Sequence, residues 1–277
     1  MTGDQRTADA FATSWNNLPQ GSVYTPAQVA DWFAPLGPGD VRGRDVLEMG
    51  CGNASLMVHV ARWEPARFVG IDLGGSVDSA RANLAASGAR NWSVERADLV
   101  SFASEGYDVV YSIGVLHHLD DPRAGFDAVL RNTRPGGRFH CWVYAREGNG
   151  VVVALVDPLR RIASRLPWWL TKYGIATPLV FPYYLYAKLL RALPRWPWLR
   201  SAPLHDYSLW IAEREFAFFR HVAFDQLVTP RTVYLRRSTI EEWLRDPRVA
   251  PGSAYVLMRN GNSWKFGGSR IQTGPLP

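Results

Sequence analysis

The chain has 277 residues, 47% of them hydrophobic and 20% charged. That is apolar material for one elaborated domain, or a domain with a covering segment, and too few charges for wholesale disorder. The net charge of +6 is uneven: residues 146–237 hold 14 Lys/Arg against 6 Asp/Glu, or +8, which leaves the remainder near −2. A basic segment of this kind meets acidic substrates, anionic lipid or nucleic acid, or is an ordinary solvated face. Cys51 and Cys141 lie far apart and read as reduced thiols of a cytoplasmic protein. Residues 1–15 contain no continuous apolar run, so no secretory signal is expected.

In chain order, residues 1–35 form a helical lead-in. Phe11 and Trp15, four apart, share a helix face and either pack on the core or close over a ligand. Thr25-Pro26 opens a helix that runs to Phe33 and stops before Pro35. Asp45 marks a turn into an apolar strand (44–50), and Gly50-Cys51-Gly52-Asn53-Ala54-Ser55 leads into a helix over Ser55–Trp63. Two glycines let the backbone turn sharply and admit a ligand, which would face the free N–H groups of a helix start. A nicotinamide-binding turn would carry its third glycine at position 55, where Ser55 stands. Glu48, just before the first glycine, would repel a pyrophosphate and attract a cation. The loop therefore favours S-adenosylmethionine, with its sulfonium and ammonium and no phosphate.

Arg67–Asp72 is a second strand ending in an acid, twenty residues after Gly52; a carboxylate there reaches both ribose hydroxyls of a nucleoside. A helix over Ser76–Ala86 ends at Ser87-Gly88. Trp92–Ala97 alternates as a third strand, and Asp98-Leu99 at its tip suits an adenine amino group and ring. Tyr107–Ile113 is the most buried strand in prospect. Asp121-Pro122 starts a helix that ends in the turn Arg134-Pro135-Gly136-Gly137, and Arg138–Ala145 is a fifth strand. This alternation argues a doubly wound α/β sheet with its ligand at the strands' C-terminal ends.

The pieces VLEMGCGNAS (46–55), VGID (69–72), ADL (97–99), YDVVYSIGVLHHLDDP (107–122) and RPGGRF (134–139) occur together and in order. In them the chain resembles the class I S-adenosylmethionine-dependent methyltransferases; it departs at Ala54, where many members carry a third glycine. The resemblance implies a seven-stranded Rossmann-like sheet with a reversed C-terminal hairpin. It implies that Glu48, Gly50, Cys51 and Gly52 hold the methionine end, that Asp72 binds ribose with Leu73 beside the adenosine, and that Asp98 and Leu99 bind adenine. It also implies that Ser112, Ile113 and His117 line the methyl-transfer side, and it calls for no metal.

The cofactor core then spans 36–145, an aromatic and basic helical cap insertion 146–232, and the closing elements 233–277. Residues 151–210 hold five Trp and five Tyr. Tyr173–Ala187 is uncharged but interrupted by Pro178 and Pro182, and is shorter than the ~20 residues a membrane span needs. The cap covers the site, docks on a membrane surface or forms an oligomer interface; the three readings can overlap. His205 beside Asp206, and His221 with Asp225 four later, join His117 and His118 as candidate general bases. Ser238 or Thr239 is expected to cap a helix over 239–246, Ala254–Met258 and Ser263–Phe266 to be the closing strands, and 267–277 to be a loose tail.

The expected function is methylation, at oxygen or nitrogen, of a small-molecule acceptor under a helical cap. Two rival acceptors stay open: a lipid or prenyl-linked molecule at the inner membrane face, and RNA. Against RNA, Ser112-Ile113-Gly114 stands where enzymes acting on nucleobase amines carry an Asn/Asp-Pro-Pro-aromatic turn. A cofactor-binding pseudoenzyme subunit is the non-catalytic alternative, and an NAD-dependent oxidoreductase is the least favoured reading.

Overall fold

The computed structural model describes residues 3–16, 24–193 and 197–272. Helices α1 (Gly3–Asn16), α2 (Pro26–Phe33) and α3 (Pro38–Val41) lead into β1 (Asp45–Met49). The start of α2 follows the sequence reading. Thr25 Oγ1 accepts from the Gln28 backbone N–H (3.2 Å), and the Gln28 side chain accepts in return from the Thr25 N–H (3.0 Å).

The chain then alternates through α4 (Met57–Val60), β2 (Arg67–Asp72), α5 (Val77–Ala86), β3 (Trp92–Arg96), β4 (Tyr107–Ile113), α6 (Pro122–Asn132) and β5 (Thr133–Tyr144). A long helical excursion follows: α7 (Gly150–Ala163), a π-helical segment (Leu170–Ala176), α8 (Thr177–Ala192), α9 (His205–Ile211) and α10 (Phe216–Val228). Helix α11 (Arg237–Trp243) and strands β6 (Tyr255–Arg259) and β7 (Ser263–Ser269) close the fold.

The seven-stranded sheet has the order β3-β2-β1-β4-β5-β7-β6. Strands β1 to β5 are parallel and β7 runs antiparallel between β5 and β6. The chain order reverses between β1 and β4, which opens a crevice at their C-terminal ends. One face of the sheet packs Phe126, Phe139, Trp243 and Phe266, and the other packs Phe33, Met57, Phe68 and Tyr111. The helical excursion has small cores of its own, in which Phe219 and Phe224 of α10 are fully buried.

Several boundaries differ from the sequence reading. The first helix is short: the Gly50–Ser55 loop runs on to Leu56, α4 covers one turn, and a 3₁₀ turn (Ala61–Trp63) ends where Glu64 turns left-handed (φ 60°). Helix α11 begins at Arg237 rather than at a Ser238 or Thr239 cap, because the Glu147 carboxylate accepts from the Arg237 N–H (3.1 Å) and does the capping from outside the helix. Residues 267–269 belong to β7, and the Ile271 N–H still donates to the Arg248 carbonyl (2.7 Å), so the expected tail is paired over that stretch; 273–277 lie outside the described residues. Residues 134–137 are drawn into β5, because the Gly136 N–H donates to the Arg270 carbonyl and the Arg270 N–H to that of Gly137 (3.0 and 2.8 Å). Pro182 sits inside α8 without ending it. Among the described residues no helix is long and apolar enough to cross a membrane.

Candidate functional site

The loop after β1 is fixed by its neighbour strand. The Gly50 and Cys51 N–H groups both donate to the Ile71 carbonyl of β2 (2.8 and 3.0 Å). Gly50 has φ +86°, and a Cβ there would lie 2.4 Å from Val115 Cγ2, so only glycine fits. Ala54 takes the left-handed conformation (φ 64°) that a glycine would adopt without cost. Asn53 Oδ1 accepts from the Ser55 hydroxyl (2.6 Å) and backbone (3.2 Å), and Asn83 of α5 donates to the Asn53 carbonyl (2.9 Å).

Asp72, at the tip of β2, binds that loop with both carboxylate oxygens: Oδ2 accepts from the Gly52 N–H (2.9 Å) and Oδ1 from the Gly74 N–H (2.8 Å). Burial raises its pKa, while the two backbone donors and Ser76 work against the rise. Glu48 is buried at the end of β1, where the Tyr111 hydroxyl of β4 donates to its Oε2 (2.8 Å). Burial lifts its pKa from 4.5 to about 8; the Tyr111 hydrogen bond opposes this and the Asp72 charge adds to it.

These residues border a cavity of ≈ 480 Å³. Of the cofactor-binding residues singled out in the sequence, Glu48, Gly50, Cys51, Gly52, Asp72, Leu73, Asp98, Leu99 and Ile113 line it. Asp98 is half-buried, with Oδ1 accepting from the Val100 N–H (2.9 Å). Burial raises the Cys51 thiol pKa well above its usual value, so Cys51 is a wall residue and not a nucleophile. Ser112 and His117 do not line the cavity. Ser112 is fully buried and donates across the sheet to the Met49 carbonyl (2.9 Å). His117 is fully buried, its ring 4.1 Å from that of His118 and 4.2 Å from that of Tyr144. Neither of its ring nitrogens has a hydrogen-bond partner among the described residues.

Of the remaining histidines, His118 and His221 reach the cavity and His205 does not. His205 pairs with Asp206 (2.7 Å) at the start of α9. His118 Nδ1 lies 2.9 Å from the Arg231 carbonyl; a carbonyl only accepts, so the proton sits on Nδ1 and Nε2 carries the lone pair. Burial lowers the His118 pKa to about 3. His221 Nε2 stands 3.8 Å from Asp225 Oδ2 on the same face of α10, its Nδ1 is buried without a partner, and its ring meets Trp15 edge-on at 5.7 Å. Asp225 also accepts from the Ser14 hydroxyl, which ties α10 to α1.

Sequence reasoning placed aromatic residues in the 151–210 cap, Tyr207 and Trp210 among them, but missed the rest of the aromatic wall. Trp32, Trp142, Tyr144, Tyr207 and Trp210 line the cavity beyond the loop, as does Arg259. Arg259 is buried, donates from Nε to Asp31 Oδ2 (2.6 Å), and lies over the Trp210 and Trp32 rings at 4.9 and 5.5 Å. No local motif marks these positions, because they meet only through tertiary packing.

Residues 47–139 match the family model described as "Methyltransferase domain". The ubiquinone biosynthesis O-methyltransferase of Erwinia tasmaniensis is 33% identical over 132 residues, which is 46% of this chain and 52% of that protein. The malonyl-[acyl-carrier protein] O-methyltransferase of Hahella chejuensis is 34% identical over 100 residues, 35% of this chain and 36% of that protein. The chain thus spans about half, or less, of the curated relatives it matches. Among solved structures, magnesium protoporphyrin IX methyltransferase from Synechocystis PCC 6803 with bound SAM superposes with TM-score 0.54 at 14% identity, covering 98% of each chain. An O-methyltransferase family protein from Burkholderia thailandensis gives TM-score 0.55 at 15% identity, covering 90% of this chain and 57% of that one. Both share the fold.

The Glu48 environment has a measurable consequence. A carboxyl whose folded-state pKa is raised holds its proton more tightly folded than unfolded. Its contribution to stability is complete below pH about 4.5 and is lost as pH rises through about 8. Urea-denaturation midpoints should therefore fall from pH 5 to pH 8 more steeply for the wild type than for Glu48→Gln. Parallel curves for the two proteins would show that Glu48 does not titrate in that window.

Proposed function

We propose, for a chain whose residues 47–139 belong to the methyltransferase-domain family, that it transfers a methyl group from S-adenosylmethionine to an oxygen or nitrogen of a small-molecule acceptor held under the helical excursion. The observation that carries this reading is the single cavity shared by the Glu48–Gly52–Asp72–Asp98 wall and the helices α7 to α10.

The residues fit the donor. Glu48 is a buried acid with one neutral partner, so a ligand ammonium compensates the charge that burial otherwise suppresses. Asp72 accepts from the Gly52 and Gly74 N–H groups and from Ser76, and the acceptor capacity that remains is offered to a ribose hydroxyl. Leu73 and Leu99 supply apolar cover and Asp98 an acceptor for an exocyclic amine. When bound, the donor supplies an activated methyl on a good leaving group. The protein's part is to align the acceptor and exclude water.

An alcohol or phenol acceptor must also lose a proton. His221 is the base we assign: it lines the cavity and Asp225 stands beside its Nε2 to stabilise the imidazolium. His118 also reaches the cavity, but burial lowers its pKa to about 3, which makes it too weak a base for that proton. His117 and His205 take no part in this scheme.

A second reading, an acceptor presented at a lipid surface, is favoured by the outer faces of two helices. Helix α7 exposes Val151, Leu155 and Ile162, and α8 exposes Leu179, Leu185 and Leu189. A solvent-facing helix stripe is ordinarily polar. Val151, Leu155 and Leu179 also line the cavity, so the apolar surface runs into it. Exposed Arg161 on α7 and Arg165 in the turn after it suit anionic headgroups.

Incubation with methyl-labelled donor and a panel of phenols and aromatic amines should yield labelled product and S-adenosylhomocysteine. His221→Ala should lower kcat about 100-fold for phenols, with partial recovery at high pH. Absence of turnover with donor binding intact would favour a binding subunit instead. For the second reading, the protein should co-sediment with phosphatidylglycerol-containing vesicles, and Leu185→Ser/Leu189→Ser should release it. A wild-type protein left in the supernatant would contradict the lipid-surface reading alone.

A further inference from the structure

The cavity is electrically two-ended. Its loop end is lined by Glu48, Asp72 and Asp98, together with Asp4 of α1. Its far end carries a positive excess. Arg259 and Lys265 are both buried, and they share one carboxylate, Asp31, which is 43% exposed. Arg259 Nε lies 2.6 Å from Asp31 Oδ2 and Lys265 Nζ 3.6 Å from Asp31 Oδ1; Lys265 also donates to the Asp31 carbonyl (2.6 Å). Two cations against one acid leave a net charge of +1 beside a low-dielectric wall, an arrangement that costs free energy unless an anion completes it.

Arg259 is the cation that faces the cavity. Of its five N–H donors, Nε–H alone is engaged in a hydrogen bond among the described residues, and Nη2 is buried without a partner. The guanidinium sits over Trp210 and Trp32, which hold its plane. Trp32 in turn contacts Trp142 (ring centroids 6.0 Å), and Trp142 packs beside Gly114 at the mouth of β4. A slab of aromatic rings thus connects the cation to the loop end of the cavity.

We propose that Arg259 is an acceptor-binding residue and that the acceptor is a planar, aromatic molecule bearing a carboxylate. The carboxylate supplies the unengaged guanidinium N–H groups with a charge-assisted partner, and the ring lies among Trp32, Trp142 and Trp210. This deepens the methyl-transfer reading by naming the class of acceptor, and it rests on that reading only for the use made of the bound molecule. The pairing also orients: with the carboxylate fixed at one end, the opposite edge of the ring points to the donor end.

The test needs no turnover. Tryptophan fluorescence is titrated with 2-naphthoate and with its neutral isostere 2-naphthamide. Naphthoate should bind the wild type at least about tenfold more tightly, the discrimination expected of a buried charge-assisted pair. Arg259→Met should abolish that preference and Arg259→Lys should keep part of it. Titration with S-adenosylhomocysteine reports separately that each variant is folded. Equal affinity of the two probes for the wild type overturns the proposal, and so does a preference that survives in a folded Arg259→Met. The wild-type comparison stands even where a variant does not fold. Naphthoate preference without any methyl transfer would leave the site intact and remove the catalytic reading.

Discussion

The site depends on one carboxylate. Asp72 ends β2 and accepts from the backbone of Gly52 with one oxygen and of Gly74 with the other. It therefore joins the loop after β1 to the loop after β2, where the sheet order reverses and the crevice opens. The contact requires the turn at Gly50, because only a residue without Cβ passes Val115 at that point. Half-buried and hydrogen-bonded, the same carboxylate borders the cavity. On the proposed reading, one group would serve as both structural clamp and ligand contact.

The cavity follows from how two kinds of element meet at that crevice. The sheet contributes acids at its strand tips, fixed by backbone geometry. The elements around it contribute aromatic rings: Trp32 from α2, Trp142 from β5, Trp210 from α9. Arg259, from the closing hairpin, is pinned to α2 through Asp31. The contrast between an acidic end and a cationic end suits a positively charged donor facing an anionic acceptor. On the proposed reading, charge would draw each ligand to its own end.

The sheet and the loop were legible because they are local. Strands β2 and β4 fall on the apolar runs Arg67–Asp72 and Tyr107–Ile113, and the glycine turn and Asp72 sit at a fixed spacing along the chain. Ser112 shows the limit of that reading. Side chains alternate along a strand, so Tyr111 turns to Glu48 while its neighbour Ser112 turns to the opposite face and bonds to Met49. The motif holds Ser112 and Ile113 side by side, but the pleat leaves only Ile113 lining the cavity. His117 and His118 divide in the same way: adjacent in sequence, one lies off the cavity and one lines it. The far end of the cavity had no local signature. Asp31 and Arg259 are 228 residues apart and meet through the placement of a closing strand against a leading helix. The cap of α11 was misread for a related reason, since Glu147 supplies from another element what Ser238 was expected to supply from within.

In the proposed function, the Asp72 clamp presents a nucleoside site to S-adenosylmethionine. Calorimetric titration with S-adenosylhomocysteine tests it most directly, comparing the wild type with Asp72→Asn, which keeps the side chain's shape. Saturable binding at one site is expected, with an association constant at least about 100-fold weaker in the variant, as when a carboxylate loses its charge-assisted contacts to the loop and to a ribose hydroxyl. Absence of saturable binding to the folded wild type, or equal affinity in the two proteins, would contradict it.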